Sequence, residues 1–160
     1  MKINLASSVE LDKDVTIAVD SSGIKVSNQG EWIRKKWKVK RSFIKVYIAV
    51  DTKTKQILAI EVTKEDVGDG RMLKRLVDGS ASKAVLSGVI ADGAYDSKSN
   101  FRMFADMGID PLIRVRRNAS FKGGDCMPRK FAVVEQLGNA GWRKERGYGY
   151  LGWLSQRSHA

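Results

Sequence analysis

The sequence predicts an α/β fold in which three antiparallel strands are followed by crossover units that add parallel strands to the same sheet. Three observations carry this. β-branched and aromatic runs fill the stretch up to residue 63, and near "DVGDGRML" the apolar spacing switches to the helical period of about 3.6. Beyond that point strand-like and amphipathic stretches alternate, which calls for parallel crossovers. The third observation is size: 160 residues with 42% hydrophobic content are enough for one core, so residues 1–160 read as a single domain.

Each element follows in order. "DVTIAVDSS" reads as a first strand ending near Asp20. "SFIKVYIAVD", 42–51, and "QILAIEVT", 56–63, form a hairpin, with Asp51 and the polar "TKTK" at its turn. Met72, Leu73, Leu76 and Val77 then make one helical stripe, with Gly79 placed to close the helix. "AVLSGVIA", 84–91, is a buried-type strand, after which Asp96 or Ser97 can cap a helix that turns Phe101, Phe104 and Met107 inward and stops at Gly108. "PLIRV" supplies a further strand. "RNASFKGGDCMPRK", 117–130, reads as a long loop, and Phe131, Val134 and Leu137 or Gln136 mark a last helix reaching about Arg146, interrupted by "GNAG".

Among sheets of this order, one places the first and fourth strands side by side at the centre. Asp20 and Asp92 then meet at one edge of the sheet. Ligand sites in open α/β sheets form there, outside the carboxyl ends of the strands. Two converging aspartates suit Mg²⁺ or Mn²⁺, because hard ions take oxygen ligands and leave positions open for phosphate oxygens. A pair of such ions about 4 Å apart would clamp both oxygens of a phosphodiester under attack. The plainer alternative is that both residues start turns, since Asp-Ser and Asp-Gly are ordinary turn dipeptides.

Charge narrows the partner. With 29 Lys and Arg against 18 Asp and Glu, the chain carries +11 and a pI near 9.9. That balance favours a polyanion, nucleic acid first, over a merely soluble surface. The cations also cluster. "RKKWKVKR" offers Arg34, Lys35, Lys36, Lys38, Lys40 and Arg41 beside Trp32 and Trp37, so phosphates can be neutralised and an exposed indole can stack on a base. The alternative for this stretch is a twisted hairpin with its tryptophans in the core. Arg116 and Arg117, at the end of "PLIRVRR", are candidate clamps on the scissile backbone. No run approaches the ~18 apolar residues of a membrane span. The start does not read as a signal peptide and the single cysteine forms no internal disulfide, so the expected location is the cytoplasm, in a prokaryotic cell and beside the nucleoid when DNA is bound.

Five ordered blocks, "VDSSGIKV", "GEWIRKKWKVKR", "IAVDTKTKQILAIEVT", "VGDGRMLKRLVD" and "ADGAYDSKSN", together resemble the catalytic domain of DDE-type insertion-sequence transposases, from about residue 14 to about residue 150. The resemblance implies a ribonuclease-H-like mixed sheet with helices on both faces, two divalent metal ions, and DNA as substrate, both transposon ends and target. It also implies homo-oligomers. Asp20 and Asp92 fall on the family's first two acidic positions. The third departs from the pattern: counted from Tyr148, the family's arginine position holds Leu151 and its glutamate position holds Ser155, or Gln156 after a shift of one. On that basis the chain is expected to be truncated at both ends, with an incomplete closing helix and without the usual N-terminal DNA-binding region.

Glu145 lies among arginines and lysines in "GWRKERGYGY" and is expected at a salt-bridged surface, not in the site. His159 belongs to a terminal tail. Cys126 has no cysteine or histidine at metal-ligand spacing. The leading function by resemblance is therefore metal-dependent cleavage and transfer of DNA strands, with this chain itself expected to be a truncated, inactive fragment because the third acidic residue is missing. The alternatives are a catalytically silent DNA-binding remnant and a small basic RNA-binding protein.

Overall fold

The computed structural model describes residues 14–25, 43–64, 67–116, 118–119 and 125–148. Its centre is a five-stranded sheet built from β1 (Val15–Lys25), β2 (Phe43–Asp51), β3 (Ile57–Lys64), β4 (Leu86–Ala91) and β5 (Asp110–Ile113), in the order β3-β2-β1-β4-β5. β1 is antiparallel to β2, and β2 to β3. β1 and β4 are parallel, as are β4 and β5. This is the expected mixed sheet, three antiparallel strands followed by two parallel ones, with the first and fourth strands adjacent at the centre.

Among the described residues four α-helices accompany the sheet: α1 (Asp69–Ala81), α2 (Lys98–Met107), α3 (Met127–Gly138) and the single turn α4 (Trp142–Glu145). α1 buries Met72, Leu73, Leu76 and Val77, the stripe expected from spacing, and α2 buries Phe101 and Phe104. These side chains meet Ile17, Val19, Tyr47, Ala49, Val89 and Ile113 in the main core. α4 serves the other face, where Trp142 and Tyr148 cover Ala18, Ile90 and Leu112. That cover is short, and Ile24, Ile60 and Val62 remain exposed.

The hairpin turn forms as its sequence dictates: Asp51 accepts the Lys53 amide at 2.8 Å and the Thr54 hydroxyl at 2.7 Å. Ser97 caps α2 through the Asn100 amide, and Gly108 closes it in the left-handed region at φ 66°.

Several expectations are corrected. β1 does not end at Asp20, because β2 is long enough to pair with it from Ile17 to Lys25. Gly79 lies within α1, which continues to Ala81; a Cβ there would sit 3.3 Å from that of Ala59, so the glycine lets the helix approach β3. Met107 is exposed on the last turn of α2. The last long helix starts at Met127, within the segment expected to be loop. It buries the small Ala132 and Val133, while Phe131, Val134 and Leu137 face outward. Among the described residues, no helix is long and apolar enough to cross a membrane.

Candidate active site

The switch from antiparallel to parallel pairing occurs between β1 and β4, and the candidate carboxylates are positioned there by register alone. Ala18 pairs with Ile90. Two residues further along each strand come Asp20 and Asp92, on the same face by the two-residue alternation of strands. Asp20 is still within β1, paired with Ile48 of β2, whereas Asp92 has left β4 and holds the following turn. Its Oδ1 accepts the Ala94 amide at 2.8 Å, while Asp20 Oδ1 accepts the Ser21 amide at 2.8 Å. The plainer reading of Asp92 as a turn residue is thus also realised, and it leaves the second oxygen of each carboxylate available.

Electrostatics couple the two. Burial is the main cause that lifts the Asp20 carboxyl above its ordinary range; the Ser21 amide opposes this and repulsion from Asp92 adds to it. A hard dication relieves both the burial cost and the repulsion, so the donor set fits Mg²⁺ or Mn²⁺. Among the described residues, no third carboxylate, histidine or cysteine joins the pair in a metal-holding group.

Beneath the pair lies a half-buried polar layer that spacing did not reveal. Tyr47 donates to Asp69 Oδ1 at 2.9 Å, and Lys45 reaches the same oxygen at 3.1 Å. The Tyr95 hydroxyl is buried, with no hydrogen bond of normal geometry, in the field of Asp69, Ser21, Asp92 and Asp20. Burial, then the Asp69 charge, keeps this phenol neutral far into alkali. Asp69 opens α1 and Tyr95 ends the 3-10 turn after β4, and only the fold brings them together.

A second support is Tyr148. Its hydroxyl donates to the Ala91 carbonyl at 3.0 Å, fixing the backbone just before Asp92. Burial, then the Asp92 charge, pushes its pKa up to about 12. Asp96, three residues after Gly93, accepts the Arg116 amide at 3.2 Å and two bonds from Arg129.

Along residues 12–151 the chain matches the family model described as the transposase DDE domain. The chain belongs to the transposase DDE domain family. Solved structures similar to it include the following two. One is the catalytic core domain of BIV integrase, at 11% identity and a TM-score of 0.40, covering 77% of this chain and 63% of that one. The other is a chain of the simian T-cell lymphotropic virus intasome in complex with PP2A regulatory subunit B56 gamma, at 15% identity and a TM-score of 0.45, covering 80% of this chain. This chain spans 38% of that second relative.

Of the other predicted residues, Arg116 is exposed next to the site, its backbone tied to Asp96. Arg34, Lys35, Lys36, Lys38, Lys40, Arg41 and Arg117 lie outside the described residues, as do Trp32, Trp37, Leu151, Ser155, Gln156 and His159. Glu145 is exposed, as expected, but it is bonded to the Asn139 amide at 2.7 Å, a side-chain contact across the turn into α4 in place of the expected salt bridge. Cys126 is buried, its thiol 3.6 Å from the Lys98 carbonyl.

Proposed function

We propose that this domain acts on DNA in transposition, as a metal-dependent phosphoryl-transfer unit whose cation is held by Asp20 and Asp92. The observation that carries the reading is the meeting of these two carboxylates on one face, at the point where strand order reverses. A bound divalent cation would supply charge stabilisation at the phosphorus and activate a hydroxyl for in-line attack. The chain's own part is positional. Asp20 is fixed by the Ser21 amide and Asp92 by the Ala94 amide, so each presents a free oxygen without searching rotamers. Tyr148 holds the Ala91 carbonyl beneath them, and Tyr95 supplies a neutral hydroxyl on the buried side. The +11 charge favours DNA as the polyanion bound and gives homo-oligomers the means to gather two transposon ends and a target.

A second reading has its own observation. Among the described residues no third carboxylate joins the pair, and by the family's spacing the third acidic position falls on Ser155 or Gln156. In this reading the chain binds DNA without cutting it.

A nicking assay on supercoiled DNA in Mn²⁺ separates the two. On the phosphoryl-transfer reading the unaltered chain nicks the DNA and Asp20→Ala abolishes the nicking, whereas on the DNA-binding reading it leaves the DNA intact and neither Ser155→Glu nor Gln156→Glu introduces nicking. Failure of both variants to nick would favour the silent DNA-binding reading. Nicking by the unaltered chain that survives Asp20→Ala would contradict the proposed site.

A further inference from the structure

The row that contains Asp20 and Asp92 does not stop at β4. Ile90 pairs with Leu112 of β5, so two residues further on Arg114 stands beside Asp92 as Asp92 stands beside Asp20. Its backbone is fixed there: the Arg114 amide donates to the Ala91 carbonyl at 3.3 Å. The Arg114 carbonyl lies 3.3 Å from where a Cβ on residue 93 would be, so Gly93 admits the close approach. The side chain is exposed, and among the described residues it makes no ion pair.

Arg143 arrives at the same edge from α4. Its guanidinium lies 5.7 Å from the centre of the Tyr148 ring, whose hydroxyl holds the same Ala91 carbonyl. Trp142 backs that ring at 5.2 Å between centres. Both guanidiniums and the Asp92 carboxylate also act electrostatically on the Tyr148 phenol.

The contrast with other arginines decides what these two are for. Arg129 is committed to Asp96, Arg102 to Asp125, and Arg146 to Asp110 and Glu135. Arg114 and Arg143 carry no carboxylate partner among the described residues, although two aspartates share their edge. Asp92 is left for a cation and the arginines for an anion.

We propose that Arg114 and Arg143 form a clamp for backbone phosphates of the DNA strand lying across Asp20 and Asp92, an inference that rests on the DNA reading above. A strand brought to two carboxylates is repelled by them, and cations at the flank offset that repulsion while leaving the carboxylates free. Guanidinium suits the role because its fork meets a phosphate through two bonds. Tyr148 is buried and offers no face to a base, so the clamp reads phosphate and not sequence.

The test is fluorescence anisotropy of the full chain on a labelled mixed-sequence duplex, repeated over a salt series. Arg114→Gln and Arg143→Gln are each expected to weaken binding and to reduce the slope of log K against log salt by about 0.9, one phosphate's share. Arg114→Lys should keep the slope, because its charge remains. Arg75→Gln, on the far side of the sheet beside Glu61, should also keep it. Thermal melts of all variants should match the parent, since each altered side chain is exposed. If the parent binds with a normal slope and both glutamine variants retain it, the clamp is wrong and the DNA reading stands. An equal loss in Arg75→Gln would show diffuse charge and also overturn the clamp. A parent that fails to bind duplex at low salt would overturn the DNA reading itself.

Discussion

Arg129 grips the carboxylate of Asp96 through two bonds, Nε to Oδ1 at 2.6 Å and Nη2 to Oδ2 at 2.9 Å. The Asp96 side chain has no exposed surface, and that of Arg129 is 17% exposed. The pair ties the start of α3 to the loop that carries Asp92, across a sequence separation of 33 residues. Removing one partner strands a buried charge, so Asp96→Ala is expected to cost about 3–5 kcal/mol in urea unfolding. Replacing both, Asp96→Ala with Arg129→Met, should recover part of that loss. A single variant within about 0.5 kcal/mol of the parent, the range of ordinary surface substitutions, would show that the pair does not hold this junction.

Asp20 illustrates a cost carried for the site. Because burial and Asp92 raise its folded pKa, its contribution to stability is most favourable below the unfolded value and is lost as pH rises through the folded one. At neutral pH without metal, Asp20→Asn should therefore stabilise the fold. After screening for a half-exposed group the gain is about 0.5 kcal/mol, or about 1–2 °C in Tm. The gain should vanish at a pH low enough to protonate the parent's carboxyl. Destabilisation by Asp20→Asn at neutral pH would contradict the electrostatic account.

How much of this was legible in the sequence depends on where the information lies. The α1 stripe of Met72, Leu73, Leu76 and Val77 was legible because one helix face covers a wide sheet and needs large side chains at regular spacing. α3 misled for the opposite reason. It enters the main core through the small Ala132 and Val133, while its largest apolar residues, Phe131 among them, are on the outside. Asp20 and Asp92 could be paired from strand order, since register follows from topology. Tyr95, Asp69 and Tyr47 could not, because their meeting depends on how α1 begins over the middle of β2, which no local pattern encodes. Arg114 was passed over in favour of Arg116 and Arg117 because the end of β5 was placed two residues late; the strand stops at Ile113.

Tyr148 gives a pH-dependent signature at the alkaline end. Its ordinary value of 10.0 is raised to about 12, first by burial and then by Asp92, so the folded chain keeps a proton that the unfolded chain releases. Stability should accordingly fall as pH rises from about 10 toward 12. Tyr148→Phe should flatten part of that fall, at the expense of about 1 kcal/mol at neutral pH for the lost bond to Ala91. An ultraviolet titration in which Tyr148→Phe removes a group titrating near 10 would contradict the placement.

The most direct test of the central claim is calorimetric titration of Mn²⁺ into the full chain, into Asp20→Asn and into Asp92→Asn. If the two aspartates are a metal site, the parent binds Mn²⁺ weakly and saturably, and each substitution abolishes the heat, because one carboxylate alone cannot offset the dehydration of the ion. Binding of equal affinity in the parent and in either variant would mean that Asp20 and Asp92 meet on one face without holding a metal there.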